Sequence, residues 1–268
     1  MITLTLNETL SVPLEAEQLS PDVVASLSHD AIKALPLMLG RRRRRVGDFF
    51  AVEGEASDDL EIRGDAGRIK WIGRGMTRGR ISIAGNAGMH LGAHMKGGGI
   101  DVSGNVSDWL GAEMSGGLIR IRGNAGGQAG AAYRGSRSGM TDGTILIEGS
   151  AGVEVGMRMK RGIIAIGGTV GDLAGLEMKG GTIVVGDAER RTGTWMVRGT
   201  IISLRPIPLL PTFSLASTYI PTFLPLYARH LATLGFSLPF EGGTYHRYVG
   251  DASVPGRGEI LMWQPCTR

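Results

Sequence analysis

Residues 91–130 read LGAHMKGGGIDVSGNVSDWLGAEMSGGLIRIRGNAGGQAG, and the pattern Gly-x-x-Met-x-x-Gly occurs twice in them, 19 residues apart. The pattern recurs along the middle of the chain, where its methionines are Met76, Met95, Met114, Met140, Met159, Met178 and Met196, and in the fourth unit an insertion displaces the first glycine to Gly130. Successive methionines are 19, 19, 26, 19, 19 and 18 residues apart. A fixed period of this kind is typical of a solenoid, because one turn of chain cannot bury its apolar face without neighbours above and below it.

Each repeat also carries a short strand signal. After the second glycine of a unit, apolar residues alternate with other residues, as in Ile81/Ile83 and Ile100/Val102, and a period of two is typical of a β-strand. The many glycines disfavour helices, and residues 37–205 contain no proline, which suits backbone that donates hydrogen bonds to adjacent turns. The sequence therefore predicts an all-β protein, a single-stranded parallel β-helix of about seven coils of ~19 residues, with short α-helical N- and C-terminal segments.

The composition divides the chain into three predicted regions. Residues 1–59 form an N-terminal cap, in which Ser20-Pro21-Asp22 is a good start for one or two short helices. Residues 60–204 hold the glycine-rich β-helix. Residues 205–268 contain eight of the eleven prolines, and we expect them to cap the open end of the solenoid or to act as a docking arm, with a helix around Leu226–Leu234.

Charge and cysteine use narrow the class of protein. The net charge is +4 at pH 7, and only five of the 29 basic residues are lysine, a bias that suggests a high-GC bacterial source. Cys266 is the single cysteine, so a disulfide or a cysteine-ligated cluster within the chain is excluded. The N-terminus has no signal-peptide pattern and no run reaches the ~18 apolar residues of a membrane span, so we expect a cytoplasmic protein without membrane contact.

The residue types that usually carry chemistry do not form a catalytic pattern. The repeated methionines are predicted to be a core ladder, an inward stack of thioethers rather than a soft-metal site. His90 and His94 are four residues apart, but a zinc interpretation of that spacing needs a helix, so no metal site is predicted. Glu113 and Glu177 are too far apart for paired-carboxylate chemistry, and we expect them to be solvated or at an interface. No catalytic residue is predicted.

Two further features of the repeats have predicted roles. Asn86, Asn105 and Asn124 stand between strand and turn, where we expect each side chain to hydrogen-bond its own backbone.

The fourth unit carries seven extra residues between Gly130 and Met140. Insertions in a solenoid form loops on one face, so this one is either a partner contact or a neutral loop.

The strongest local charge is a run of five arginines, Arg41, Arg42, Arg43, Arg44 and Arg45. Five guanidinium groups in sequence attract a polyanion or an acidic partner surface. We expect a loop that is solvated or faces a neighbouring protein, with binding of an anionic ligand as the alternative. Nucleic acid is disfavoured, because the aromatic residues that stack on bases make up only 6% of the chain.

The repeats and their Gly-Asn-Ala-Gly turns resemble the glycine-rich β-helix domain at the C-terminus of the large polypeptide of glutamate synthase. The flanks narrow the resemblance to the C subunits of formylmethanofuran dehydrogenases. They are VGDFFAVEG at residues 46–54, PTF at 211–213, YHRYVGD at 245–251 and GEIL at 258–261. The archaeal branch of this family implies a molybdenum or tungsten enzyme that fixes CO2. The bacterial branch implies a formyltransferase/hydrolase complex in methylotrophic one-carbon metabolism, and the arginine-rich composition favours it.

In either branch the resemblance implies that catalysis lies in other subunits, which are formyltransferase, amidohydrolase-like and molybdopterin-enzyme-like. It implies no cofactor bound by this chain, while the complex uses a methanofuran-type carrier and tetrahydromethanopterin. An acidic polyglutamyl carrier would suit Arg41–Arg45. A glutamate-synthase-like interaction module and, less favoured, a β-helix enzyme acting on polysaccharide are the alternatives.

Overall fold

The chain is mostly β-structure. The computed structural model describes residues 1–237 and 243–264, and Cys266 lies outside them. The described residues form a large thirteen-stranded sheet, a small four-stranded sheet and three α-helices. None of the described helices combines the length and the apolar character that a membrane crossing needs.

The first 54 residues surround the start of the repeats. Their elements are β1 Ile2–Leu6, β2 Leu14–Glu15, α1 Pro21–Val24, α2 His29–Ala34, β3 Pro36–Leu39, β4 Arg42–Arg45 and β5 Phe50–Gly54. The two short helices confirm the predicted helix start, and the Ser28 side chain caps α2 by accepting a hydrogen bond from the Ala31 backbone. Strand β1 pairs antiparallel with β5, so these two strands close one edge of the large sheet.

The repeats supply the central strands of the large sheet. The strands between residues 59 and 203 are β6 Asp59–Arg63, β7 Ile69–Lys70, β8 Arg80–Ala84, β9 Gly99–Val102, β10 Ser115–Ile121, β11 Asp142–Ile147, β12 Ile163–Val170, β13 Lys179–Ala188 and β14 Arg198–Ser203. Except for β7, which pairs with β2 in the small sheet, they stack parallel and in register, so that Ile81 lies opposite Ile100 and Ile100 opposite Ile119. These isoleucines are buried, which confirms the strands predicted from alternation.

Successive repeats are also joined outside the strands. Single parallel bridges link one residue of each repeat to the next, through Ala66, Ala87, Val106, Ala125, Ala151 and Val170. Near the methionines, the Lys96 backbone N–H donates to the Met76 carbonyl at 2.8 Å, and the same contact recurs between Lys179 and Met159 at 2.7 Å. Each repeat is therefore bound to its neighbour along several separate lines of backbone contact.

The asparagines form a ladder between repeats instead of bonding their own backbone. Asn86 Oδ1 accepts from the Asn105 backbone N–H at 2.9 Å, Asn105 Oδ1 from Asn124 at 2.8 Å, and Asn124 Oδ1 from Ser150 at 2.8 Å. The expectation from the sequence is wrong here, because the backbone N–H groups of the next repeat need an acceptor and the asparagine oxygens supply it.

The C-terminal segment adds strands that the sequence does not predict. Its elements are β15 Ser214–Tyr219, α3 Leu224–Thr233, β16 Thr244–Gly250 and β17 Gly258–Gln264. Strand β17 pairs parallel with β14, and β16 and β15 follow antiparallel. The predicted helix is present, with Pro225 in its first turn, where the missing N–H costs nothing. Leu224 and Leu231 of α3 belong to a buried cluster on the outer side of the sheet, with Leu146 and Val184.

Candidate functional site

Four of the five arginines form an edge strand, and Arg41 lies in the turn before it. Arg42–Arg45 are β4, the outermost strand of the small sheet, and Arg44 lies opposite Leu37 of β3. The expectation of a loop is therefore wrong for these four residues, since pairing with β3 extends their backbone, and an edge strand tolerates charge. All five side chains are exposed, and none forms an ion pair within the described part of the chain. Arg43, Arg44 and Arg45 line an open groove together with Asp48.

The seven methionines of the repeat are buried, and each exposes at most 1% of its surface. Their methyl groups occupy space above glycines of the next repeat. A Cβ built on Gly98 would lie 2.6 Å from Met76 Cε, and a Cβ on Gly117 would lie 2.7 Å from Met95 Cε. Gly258 stands in the same relation to Met196, at 2.5 Å, so the repeat geometry continues into the C-terminal strands although the Gly-x-x-Met-x-x-Gly pattern does not.

A group of aromatic side chains that sequence reasoning missed lies at one corner of the repeats. Trp71, His90 and Trp109 occupy the same position in three successive repeats, and Tyr133 of the insertion packs over them; we call these four residues the aromatic corner. The Trp71 and His90 rings are stacked, with centroids 4.0 Å apart, and the Trp109 and Tyr133 centroids are 4.9 Å apart. The signal was present in the sequence, because each of the first three stands five residues before a repeat methionine.

The aromatic corner is uncharged near neutral pH. Burial, with a smaller contribution from the positive charge of Lys70, lowers the pKa of His90 to about 4. Burial and the nearby Glu113 carboxylate raise the pKa of the Tyr133 hydroxyl. A hydrogen bond of 2.9 Å joins His90 Nδ1 to Tyr133 Oη. His90 is therefore held as a neutral ring that packs, which makes it unsuited to carry a proton in a reaction at pH 7.

Glu113 and Glu177 are held by neighbouring residues. Glu113 Oε1 accepts a hydrogen bond from the Tyr133 backbone N–H at 3.0 Å, and Glu113 Oε2 lies 3.5 Å from His94 Nδ1. Both oxygens of Glu177 accept from the Arg158 guanidinium at 2.9 Å, and this pairing lowers the pKa of Glu177. Both carboxylates are therefore bound within the chain rather than fully solvated, and an interfacial position stays a prediction.

The insertion between Gly130 and Met140 is fixed to the surface of the repeats. Besides the Tyr133 contacts, the Arg158 guanidinium donates to the Ser136 carbonyl at 2.8 Å and Lys179 Nζ donates to the Arg137 carbonyl at 3.1 Å. Together with the Tyr133 contacts, which reach three repeats, these bonds hold the insertion to five different repeats. In the described ranges, no three His, Cys, Asp or Glu side chains come together as metal ligands.

Comparison with known proteins gives partial matches to curated proteins and a full-length match to a solved structure. No family model matches the chain. It is 44% identical over 97 residues to the C subunit of tungsten-containing formylmethanofuran dehydrogenase 2 of Methanothermobacter marburgensis, covering 34% of this chain and 36% of that protein. It is 47% identical over 83 residues to the C subunit of the molybdenum-containing dehydrogenase 1 of the same organism, covering 30% of this chain and 21% of that protein. The chain therefore spans about a third or less of the curated relatives it matches.

The structural match extends over the whole chain. A chain in the crystal structure of the formyltransferase/hydrolase complex FhcABCD from Methylorubrum extorquens, solved with methylofuran, superposes with a TM-score of 0.92 and 33% identity, covering 98% of this chain and 100% of that one.

The stacked strands and the glycine and methionine rows define a protein built from glycine-rich repeats around a large parallel sheet. With the comparisons, the class narrows to one family. The chain belongs to the same family as the matching chain of the formyltransferase/hydrolase complex, and the curated homologues of part of it are formylmethanofuran dehydrogenase C subunits.

Proposed function

We propose that this chain is a structural subunit, without an active site of its own, of a formyltransferase/hydrolase complex. That complex would transfer a formyl group between tetrahydromethanopterin and a methanofuran-type carrier and release formate in bacterial one-carbon metabolism. The full-length match at 33% identity to a chain of such a complex carries the proposal. The side-chain pairing inside the repeats supports it, because Glu113, Glu177 and the half-buried His90 are already bound to other residues of the chain.

The architecture proposed for this role is a single-stranded parallel β-helix over residues 60–204. It is flanked by an N-terminal cap over residues 1–59 and by a C-terminal cap or docking arm over residues 205–268. One strand per repeat and a second line of bridges support a coil that closes on itself in every repeat. A rigid prism of this kind offers flat faces on which other subunits can assemble.

The partners proposed are the other subunits of the complex, of formyltransferase, amidohydrolase-like and molybdopterin-enzyme-like types, in the cytoplasm. Arg41–Arg45 are proposed to bind the acidic carrier or an acidic partner surface. Exposed side chains without ion pairs, on a strand whose outer edge is free in the described structure, support that assignment. The chain itself is proposed to bind no cofactor.

The test is purification of the natively expressed chain, with mass spectrometry of co-purifying proteins and quantification of molybdenum and tungsten. A formyltransferase and an amidohydrolase-like partner without either metal are expected. A chain that purifies alone would refute the structural role. For the arginines, replacing all five with alanine is expected to weaken assembly or turnover, whereas replacing all five with lysine, which keeps the charge, is the matched control.

A second candidate role is that of the C subunit in a molybdenum or tungsten formylmethanofuran dehydrogenase. The local identities of 44% and 47% to such proteins favour it, and metal with iron–sulfur partners in the same purification would support it. Co-purification with amidotransferase partners would instead indicate a glutamate-synthase-like interaction module.

A further inference from the structure

Six exposed cations lie close together on one corner of the repeats, away from Arg41–Arg45. We call them the basic ridge, and its members are Arg137, Lys160, Arg161, Lys179, Arg198 and Arg257. Backbone contacts fix their proximity. The Lys179 backbone lies opposite Arg198 in the sheet, Lys179 Nζ reaches the Arg137 carbonyl at 3.1 Å, and the Arg257 backbone N–H donates to the Val197 carbonyl at 2.7 Å.

The ridge concentrates cations that have no carboxylate partner. Some other arginines of the repeats do pair with acids of the same or a neighbouring repeat, as in Arg158–Glu177 and Arg122–Glu148. None of the six ridge residues forms such a pair within the parts of the chain that the structure describes. Of the nearby acids, Glu177 is occupied by Arg158, and Asp142 Oδ1 accepts the Gly143 backbone N–H at 2.8 Å.

Uncompensated cations at this spacing repel one another. Successive repeats are about 4.8 Å apart, which is shorter than the screening length of about 8 Å at physiological salt, so neighbouring repeats feel each other's charge. An anion that runs along the stacking direction removes this repulsion and meets about one cation for each repeat it passes.

Apolar exposure beside the ridge indicates the kind of anion. Trp195 is 51% exposed and Val197 is 36% exposed, and both belong to the same turn as Arg198. Tryptophan and arginine are enriched in protein interfaces, where apolar contacts and charges occur together. A free inorganic anion would gain nothing from Trp195 and Val197.

We propose that the basic ridge is a docking surface for an extended acidic segment of a partner polypeptide, with Trp195 and Val197 receiving an apolar side chain of that segment. This deepens the proposed assembly role and rests on it for the identity of the partner. The binding chemistry can be tested without the partner.

The experiment measures fluorescence anisotropy of a labelled glutamate-rich peptide of about 15 residues, with and without one central leucine, against the full chain at several salt concentrations. The ridge variant is Lys160→Glu/Lys179→Glu/Arg198→Glu. The matched control, Arg190→Glu/Arg205→Glu/Arg229→Glu, makes the same charge change at exposed positions outside the ridge. The ridge variant is expected to weaken binding by roughly tenfold or more and to flatten the salt dependence, while the control keeps most of the affinity.

Equal losses in the two triple variants would overturn the proposal, because binding would then follow net charge alone. Tighter ridge-dependent binding of an oligothymidylate than of the peptide would also overturn it. Trp195→Ala is expected to lower affinity for the leucine-containing peptide only. Thermal unfolding of each variant checks the fold, and Lys160→Gln/Lys179→Gln is the milder replacement. Co-purification of the wild-type chain with partners tests the assembly role separately. The peptide-binding proposal can therefore fail while the assembly role holds, and the reverse is also possible.

Discussion

The aromatic corner predicts a specific loss of stability in mild acid. Folding places His90 against the Trp71 ring and lowers its pKa from an ordinary value of about 6.5 to about 4. The unfolded chain therefore binds a proton on this residue at a pH where the folded chain does not. Stability contributed by the neutral ring is present above about pH 6.5 and is lost as the pH falls from there toward about 4.

The size of the effect follows from the two pKa values. At about pH 5 the unfolded histidine is almost fully protonated and the folded one is largely neutral. Preferential protonation of the unfolded chain at His90 therefore lowers the free energy of unfolding by about 2 kcal/mol at about pH 5. At about pH 7.5 this decrease is close to zero. Acidification between these two values is therefore expected to lower the free energy of unfolding by about 2 kcal/mol through His90 alone.

Urea unfolding followed by circular dichroism at both pH values measures this difference. His90→Phe keeps an aromatic ring against Trp71 but cannot titrate, so its loss on acidification is expected to be smaller than that of the wild type by about 2 kcal/mol. His230→Phe is the matched control, because His230 is exposed on α3 and folding changes its surroundings little. An unchanged loss in His90→Phe would refute the reasoning.

Two further predictions concern the packing of repeats and the C-terminal loop. Gly98→Ala is expected to lower the free energy of unfolding by about 3 kcal/mol, and Gly75→Ala by about 1 kcal/mol. Both glycines have positive φ, but only at Gly98 would the added Cβ press against Met76. Equal losses of the two variants in urea unfolding would contradict this prediction. Burial raises the pKa of Asp251, but hydrogen bonds from the Ser253 and Trp195 backbone N–H groups outweigh it and lower that pKa to about 2. Asp251→Asn is therefore expected to lower the free energy of unfolding by about 2 kcal/mol at neutral pH. The wild type should lose a similar amount of stability as the pH falls from about 4 to 2. A variant as stable as the wild type at neutral pH would exclude this contribution.

Features that recur with the repeat are predictable from the sequence. Ile100 and Val102 are buried in β9 as alternation predicts, and the two glycines of every Gly-x-x-Met-x-x-Gly unit have positive φ. Burying an apolar pair and turning a tight corner are local needs, and each repeat meets them with the same residue types. The roles of such positions can be predicted without knowing which repeats are neighbours in the structure.

Features that depend on neighbouring segments are not predictable in this way. Arg42–Arg45 become a strand because β3 lies beside them, and Asn105 bonds the next repeat because stacking brings the Asn124 N–H within 2.8 Å. The aromatic corner requires left-handed backbone at non-glycine residues, as at Trp71 and His90 with φ of 69° and 64°. That conformation is uncommon outside glycine, and contacts between repeats stabilise it.

Equivalent positions in successive repeats form rows, and the chemistry of a row follows from what its members share. A row of buried methionines packs, and in a row of asparagines each side-chain oxygen accepts a hydrogen bond from a backbone N–H of the next repeat. A row that alternates acid and base, such as Arg158 with Glu177, neutralises itself. A surface on which lysine follows lysine, as at Lys160 and Lys179, has no carboxylate partner within the described residues and would be stabilised by an anion outside the chain. We therefore expect interaction sites in the repeats where the pairing between neighbouring repeats stops, as proposed for the basic ridge.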